Sequence, residues 1–350
     1  MGKVENILIS LALAILVSGC IEKFDYTPDE PNPGYLVIDG GITNSQTKQF
    51  IRLSRTTAYG ISQYVPESGA IITILEDGNA VEYCRETSEG NYMINGDIIN
   101  PSPGKKYSIE IKTTDGNTYQ SVPEIMPYPV IPDTAYFEME KIGIRNDAGV
   151  YIYKWTINVY VDSPVRTENS YAFMRWRVEE MYSFTELNDG PLFIPHTCYM
   201  NLDINDQNIQ IYSGEDLTGG ILRRKLVLTR FPDPDQEFIF VHYFSILQHS
   251  ITRSCYEYWN KLQAVANPSG SFIDPPPAAV IGNIHNVNDK NDIALGYFEV
   301  AAEEIIRVKC FPSRMLPYYV HNPCSEYPLP NYCYGCLNLP NSSRERPSFW

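Results

Sequence analysis

The chain is 350 residues long, 43% hydrophobic, and carries 42 acidic against 27 basic residues for a net charge of -15 at neutral pH. That hydrophobic share excludes a disordered stalk, and the scattered Lys and Arg exclude nucleic acid as a partner, because phosphate binding needs a clustered basic face. Tyr and Pro number 26 each, which favours strands and structured loops over helices.

Residues 1–20 open on Lys3, turn apolar from Ile7 to Val17 and end Leu16-Val17-Ser18-Gly19-Cys20. This is the layout of a secretory signal peptide, and the small residues before a cysteine make it a lipobox. Cys20 is expected to take a diacylglycerol on its thiol, to become the first mature residue and to gain an N-acyl chain such as palmitate, so that the protein hangs from the membrane by lipid. The apolar run is shorter than the ~20 residues of a transmembrane helix, and Asn6 breaks the N-myristoylation pattern. Ile21 lacks the Asp associated with inner-membrane retention, and Glu22-Lys23-Phe24-Asp25 hints at export. The expected location is the outer membrane, surface-exposed rather than facing the periplasm.

Residues 21–34, with Pro28, Pro31 and Pro33, have the composition of a tether. From 35 to 125 short strands alternate with turn signals: Tyr107, Ile109 and Ile111 interleave with polar residues before Asp115-Gly116, and Asp77-Gly78 follows Ile71–Leu75. The expected fold class is mainly β, beginning with an immunoglobulin-like or transthyretin-like sandwich over 35–125. Pro127, Pro129 and Pro132 mark a linker over 126–134. A larger antiparallel β domain is expected over 135–310, because Tyr151, Tyr153, Trp155, Ile157, Val159 and Val161 share one strand face and Met174, Trp176 and Val178 another. Ile251, Cys255, Tyr258, Leu262 and Val265 fall at helical spacing and predict one amphipathic helix near 252–266. Residues 311–350 form a tail rich in Cys, Tyr and Pro.

Cys20 apart, seven cysteines remain, an odd number for an oxidising compartment, so at least one thiol is expected free and buried. Disulfides are expected among Cys310, Cys324, Cys333 and Cys336, although spacing does not say which pairs form. His321-x-x-Cys324 with Cys333-x-x-Cys336 is also the spacing of a tetrahedral zinc site; export favours disulfides, and no metal is assigned.

Leu36–Thr43, Leu53-Ser54-Arg55-Thr56, Ser68-Gly69-Ala70 and the Asp115-Gly116 hairpin resemble the first half of a Bacteroidota outer-membrane lipoprotein family of unknown function. Tyr258-Trp259, Gly270-Ser271-Phe272, Gly282-Asn283-Ile284 and Leu295-Gly296-Tyr297-Phe298 resemble its second half. The resemblance implies a lipoprotein commonly encoded beside a TonB-dependent receptor. It supplies no catalytic residue.

No nucleophile elbow, zinc-protease helix, Walker loop or dinucleotide fingerprint occurs. Ser45-Gln46-Thr47-Lys48 spells Ser-x-x-Lys in a polar turn, where chance explains it. Glu179-Glu180 and Glu303-Glu304 are paired carboxylates, but strand neighbours face opposite ways, and solvated charge is expected. Asp233, Asp235 and Glu237 are read as a solvated hairpin tip rather than a calcium loop. His196, His242 and His285 are read as satisfied core or surface residues. Tyr318, Tyr319, Tyr327, Tyr332, Tyr334 and Trp350 form either a binding surface or a mini-core over the tail's bridges.

The expected function is non-enzymatic, without catalytic residues or cofactors: an accessory binding partner of a TonB-dependent receptor in nutrient uptake, with the second domain and the tail in contact. The alternatives are an independent surface glycan-binding lipoprotein, marked by an exposed aromatic platform, and a hydrolase with an unrecognised site, marked by a cleft with perturbed carboxylates.

Overall fold

Period-two alternation builds most of the described secondary structure as strands. The computed structural model describes residues 34–350 except 46–48, 58–63, 96–98, 147, 168–169, 189, 191–193, 203–207, 218, 233–235, 267–279, 312–314 and 316–321. Cys20, the signal peptide and the tether lie outside the described residues.

Ten strands precede the proline cluster: β1 (Leu36–Thr43), β2 (Gln49–Arg55), β3 (Val65–Pro66), β4 (Ile71–Glu76), β5 (Asn79–Tyr83), β6 (Arg85–Ser88), β7 (Asn91–Ile94), β8 (Lys106–Lys112), β9 (Thr118–Ser121) and β10 (Glu124–Ile125). The Asp77-Gly78 turn between β4 and β5 has both residues at positive φ, 48° and 84°, the mirror-image turn whose twist matches the flanking strands. Hydrogen bonding gives one run β5-β4-β8-β9 and another β6-β7-β2-β1.

The remaining elements are β11 (Thr134–Arg145), β12 (Tyr151–Pro164), β13 (Phe173–Thr185), β14 (Thr197–Leu202), β15 (Gln210–Ser213), β16 (Ile221–Arg230), β17 (His242–Ile251), α1 (Arg253–Ala266), β18 (Ile281–Asn286), β19 (Ile293–Cys310) and β20 (Ser342–Ser343). α1 falls where the helical spacing places it.

The first sandwich is not closed by residues 35–125. β18 pairs with β9 and β19, and β19 runs parallel to β1 from Leu36↔Ala294 to Thr43↔Ala301. The two runs are thereby joined around Ile38, Ile51, Ile72, Tyr92, Ile109, Tyr119, Ile284 and Phe298. Local turn signals cannot reveal a parallel partner so distant in sequence. Backbone contact there is close: Gly296 has φ +90°, and a Cβ on it would stand 1.8 Å from the carbonyl oxygen of Ile38, so this position accepts only glycine.

Past Ala301 the same strand changes partner. Its second half pairs with β17 from Ala302↔Ser250 to Cys310↔His242, and β17 pairs with β13. β14 and β15 occupy successive lengths of β13. Over this sheet lies the three-stranded antiparallel sheet β11-β12-β16, and the two enclose Val159, Val161, Met174, Trp176, Phe244 and Ile246. One 18-residue strand therefore belongs to both units.

The proline-rich segment over 126–134 packs into both cores. Met126 is buried in the first core and Val130 in the second. Gln248 Nε2 donates to the Val130 carbonyl at 2.6 Å, and Val130 N–H donates to Ser250 Oγ at 2.9 Å.

Candidate functional site

Where the two units meet, strand register assembles a row of charges. Arg175 on β13 lies directly opposite His249 on β17, and His249 directly opposite Glu303 on β19. Glu299, four residues before Glu303, shares that face by strand alternation. α1 covers the row, and its Cys255 and Trp259, one turn apart, both reach down to Glu299.

Glu299 is the hub. Arg175 donates to it from two nitrogens at 3.0 and 2.9 Å, His249 Nδ1 lies 2.7 Å away, and Trp259 Nε1 donates at 2.9 Å. The Cys255 thiol approaches at 3.5 Å, and His249 Nε2 lies 3.1 Å from Glu303. Burial opposes the charge of Glu299, yet Arg175 and His249 outweigh it and hold the carboxyl well below its usual range. Burial likewise opposes a charged His249, but Glu299 and Glu303 raise it above its ordinary value. The cluster is a hydrogen-bonded brace across β13, β17, β19 and α1.

Beside this brace opens a cleft of about 570 Å³, lined by residues of both units: Val122, Glu124, Ile125, Ile281 and Tyr297 on the first, Thr252 just before the helix and Glu257, Tyr258 and Lys261 along it. Its size is that of a small-molecule or peptide site. Thr252 Oγ1 accepts from Cys255 N–H at 3.2 Å and so caps α1. At its floor Glu124 accepts from Thr252 at 2.8 Å, Ser254 at 2.6 Å and the Tyr297 hydroxyl. Burial raises Glu124 above the usual carboxylate range, although these hydroxyl donors pull the other way. The Cys255 thiol, buried beside Glu299 and Glu124, is pushed well above its ordinary value.

Strand alternation names the faces but not which acids are buried, and several expectations need correction. Glu180 is not solvated. It is fully buried, with His242 Nε2 at 2.9 Å and Arg230 Nε at 3.3 Å, and Arg230 also pairs with Glu237. Glu303 likewise belongs to the brace, whereas Glu179 is exposed. Glu237 is thus an ion-pair partner rather than a solvated tip, while Asp233 and Asp235 lie outside the described residues. His196 lies 3.0 Å from Glu186, His242 is a satisfied core residue, and His285 is exposed.

In the tail Cys324 bonds to Cys333, with Cα atoms 5.7 Å apart, and Cys336 bonds to Cys198 of β14 at 5.8 Å. Cys198 stood outside the set named from the sequence. Cys310, inside that set, is a free thiol buried at the end of β19, and burial pushes it up to about 12. The zinc spacing is consumed by these bonds; His321 lies outside the described residues, which contain no group of metal-ligating side chains. The tail cysteines pack with Tyr182, Phe184, Met200 and Leu339. Tyr332 meets Phe184 edge-on and Trp350 packs on Tyr199 and Tyr243, while Tyr327 is 93% exposed. Mini-core and exposed surface therefore coexist; Tyr318 and Tyr319 lie outside the described residues.

Arg175, His249, Glu299 and Glu124 are the residues that pattern reading missed. Their one signal is a lone charge inside an apolar strand, as in Tyr297-Phe298-Glu299-Val300-Ala301. The family profile "Domain of unknown function (DUF4249)" matches residues 21–307. The chain belongs to the DUF4249 family. The brace and the cleft fall inside the DUF4249 match, and the tail after Phe311 falls outside it. Comparison with curated proteins returns no match. Among the described residues no helix is long and apolar enough to cross a membrane.

Proposed function

We propose that this DUF4249 protein is a non-enzymatic binding protein, lipid-anchored at the outer membrane through Cys20, that serves as accessory partner to a TonB-dependent receptor in nutrient uptake. The observation that carries the binding role is the junction cleft, which draws its lining from both units and lies wholly within the family match. Three hydroxyl donors occupy Glu124, and burial raises the Cys255 thiol above its ordinary value; both support binding over chemistry. We place the working surface at the cleft rather than the tail, because a role common to the family belongs in the part the family shares.

Affinity purification from outer membranes in mild detergent is expected to recover the receptor, and Glu257→Lys with Lys261→Glu to reduce that recovery. Cys20→Ala is expected to release the protein or stall it as precursor; an unlipidated mature chain beginning elsewhere would contradict the anchor. A hydrolase is the second reading, favoured by the raised carboxyl of Glu124 in an open cleft. It prevails if the protein purifies alone and cleaves a glycan or peptide in a manner abolished by Glu124→Gln.

A further inference from the structure

The inner face of the three-stranded sheet continues past its cover. Ala135, Phe137 and Met139 of β11 and Ile157, Val159 and Val161 of β12 pack into the second core, and β16 pairs with β12 only from Ile157 onward. Beyond that point the pairs Glu140↔Thr156 to Arg145↔Tyr151 run on as a two-stranded ribbon, roughly 20 Å long at about 3.4 Å per residue. Strand alternation carries the core-facing side outward as Lys141, Gly143 and Arg145 opposite Trp155, Tyr153 and Tyr151. There the rings meet solvent: Tyr151 and Tyr153 are 68% and 71% exposed, and Val150 at the tip 56%.

These side chains are ordered by one another. Lys141 Nζ lies 5.9 Å over the Trp155 ring and the Arg145 guanidinium 5.4 Å over Tyr151. Tyr153 lies across Gly143, where an added Cβ would meet its ring at 3.4 Å. A two-stranded ribbon alone is marginal in water, and contiguous exposed aromatics are the kind of surface a partner covers.

Charge selects the partner. In a chain of net charge -15, the ribbon over 140–156 carries Lys141, Arg145 and Lys154 against Glu140 and Asp147. Phenol and indole rings with polar tips, set beside cations, are the composition that settles at the headgroup level of a bilayer. Each basic residue close to an anionic surface strengthens binding roughly fivefold. The acidic remainder is repelled by such a surface, so the ribbon leads the approach.

We propose that the β11–β12 ribbon is a membrane-contact element that lays its Trp155-Tyr153-Tyr151 face on the headgroups of an anionic phospholipid bilayer. The lipid-anchored reading supplies only proximity, since a tether over 21–34 spans at most roughly 50 Å when fully extended. The contact itself requires no acyl chain.

The test therefore uses the mature chain starting at Ile21, which cannot be acylated, so failure here is separable from failure of the anchor. It is expected to co-sediment with phosphatidylglycerol-containing vesicles, weakly with pure phosphatidylcholine, and less as salt rises. Lys141→Gln with Arg145→Gln is expected to weaken sedimentation at least about tenfold, and Tyr151→Ser with Tyr153→Ser to abolish it, with thermal melting confirming the fold of each variant. Brominated lipid is expected to quench the parent protein more than Trp155→Phe. Absence of sedimentation with anionic vesicles, sedimentation unchanged in the variants, or self-association that depends on the same residues without vesicle binding would each overturn the proposal.

Discussion

His242 and His249 sit near opposite ends of β17, on opposite faces, and each is the middle of an Arg–His–Glu–Glu cluster. Around His249 the hub Glu299 receives Arg175, the imidazole and Trp259, and a second acid, Glu303, takes the other ring nitrogen. Around His242, Glu180 takes the imidazole and Arg230 through one oxygen, and its Oε1 is buried with no hydrogen-bond partner among the described residues. The His242 ring is stacked 4.5 Å from Phe238. The inner cluster is closed within one core. The junction cluster is the more fully satisfied one, and it stands beside the cleft. Among the described residues none of the junction cluster's buried side-chain polar atoms is left without a hydrogen-bond partner, and that cluster stands where the two units meet.

The largest difference between the two regions is expected from removing their hubs. Glu299→Ala leaves Arg175 buried without its counter-ion and His249 with Glu303 alone, and is expected to cost about 3–5 kcal/mol in urea unfolding. Glu180→Ala, which removes a half-used carboxylate, is expected to cost about 1–3 kcal/mol. Equal losses would erase the distinction.

Next come the covalent links of the tail. Cys198→Ser opens the bond to Cys336, which closes a loop of sequence separation 138, whereas Cys324→Ser opens one of separation 9. The loop-entropy relation gives about 4–5 kcal/mol for the first and about 2–3 kcal/mol for the second. Calorimetry of the two variants should rank them in that order, and tail opening should leave the cleft intact.

A smaller effect follows pH. His249 is raised above its ordinary 6.5 by Glu299 and Glu303 against burial, so its contribution is full below about 6.5 and fades as pH rises through the higher folded value. Glu299 is held well below its usual range, so its contribution is present above about 4.3 and lost only as pH falls through that low value. Stability against pH for His249→Gln should be flatter than the parent just above pH 6.5; an unchanged slope there would remove His249 from the account. The smallest effect is expected in the cleft, where exposed Glu257→Gln and Lys261→Gln should change stability by no more than about 0.5 kcal/mol.

Alternation in Tyr107–Ile111 and Met174–Val178, the Asp-Gly turns and the four-three spacing of Ile251, Cys255, Tyr258 and Leu262 made the strands and the helix legible before any coordinates. Each is a local signal, set by the period of its own element. The parallel partnership of Leu36 with Ala294 and the bond from Cys198 to Cys336 are long-range choices made by packing, and no spacing encodes them. Glu299 was hidden for a related reason: a carboxylate reads as surface until register shows Arg175, His249 and Trp259 converging on it.

Photo-crosslinking in cells most directly tests whether the junction cleft is the binding site. A photoreactive residue at Glu257 or Lys261 is predicted to capture an outer-membrane receptor, and one at Tyr327 in the tail is predicted to capture little. Capture from Tyr327 with none from either cleft position would contradict the account.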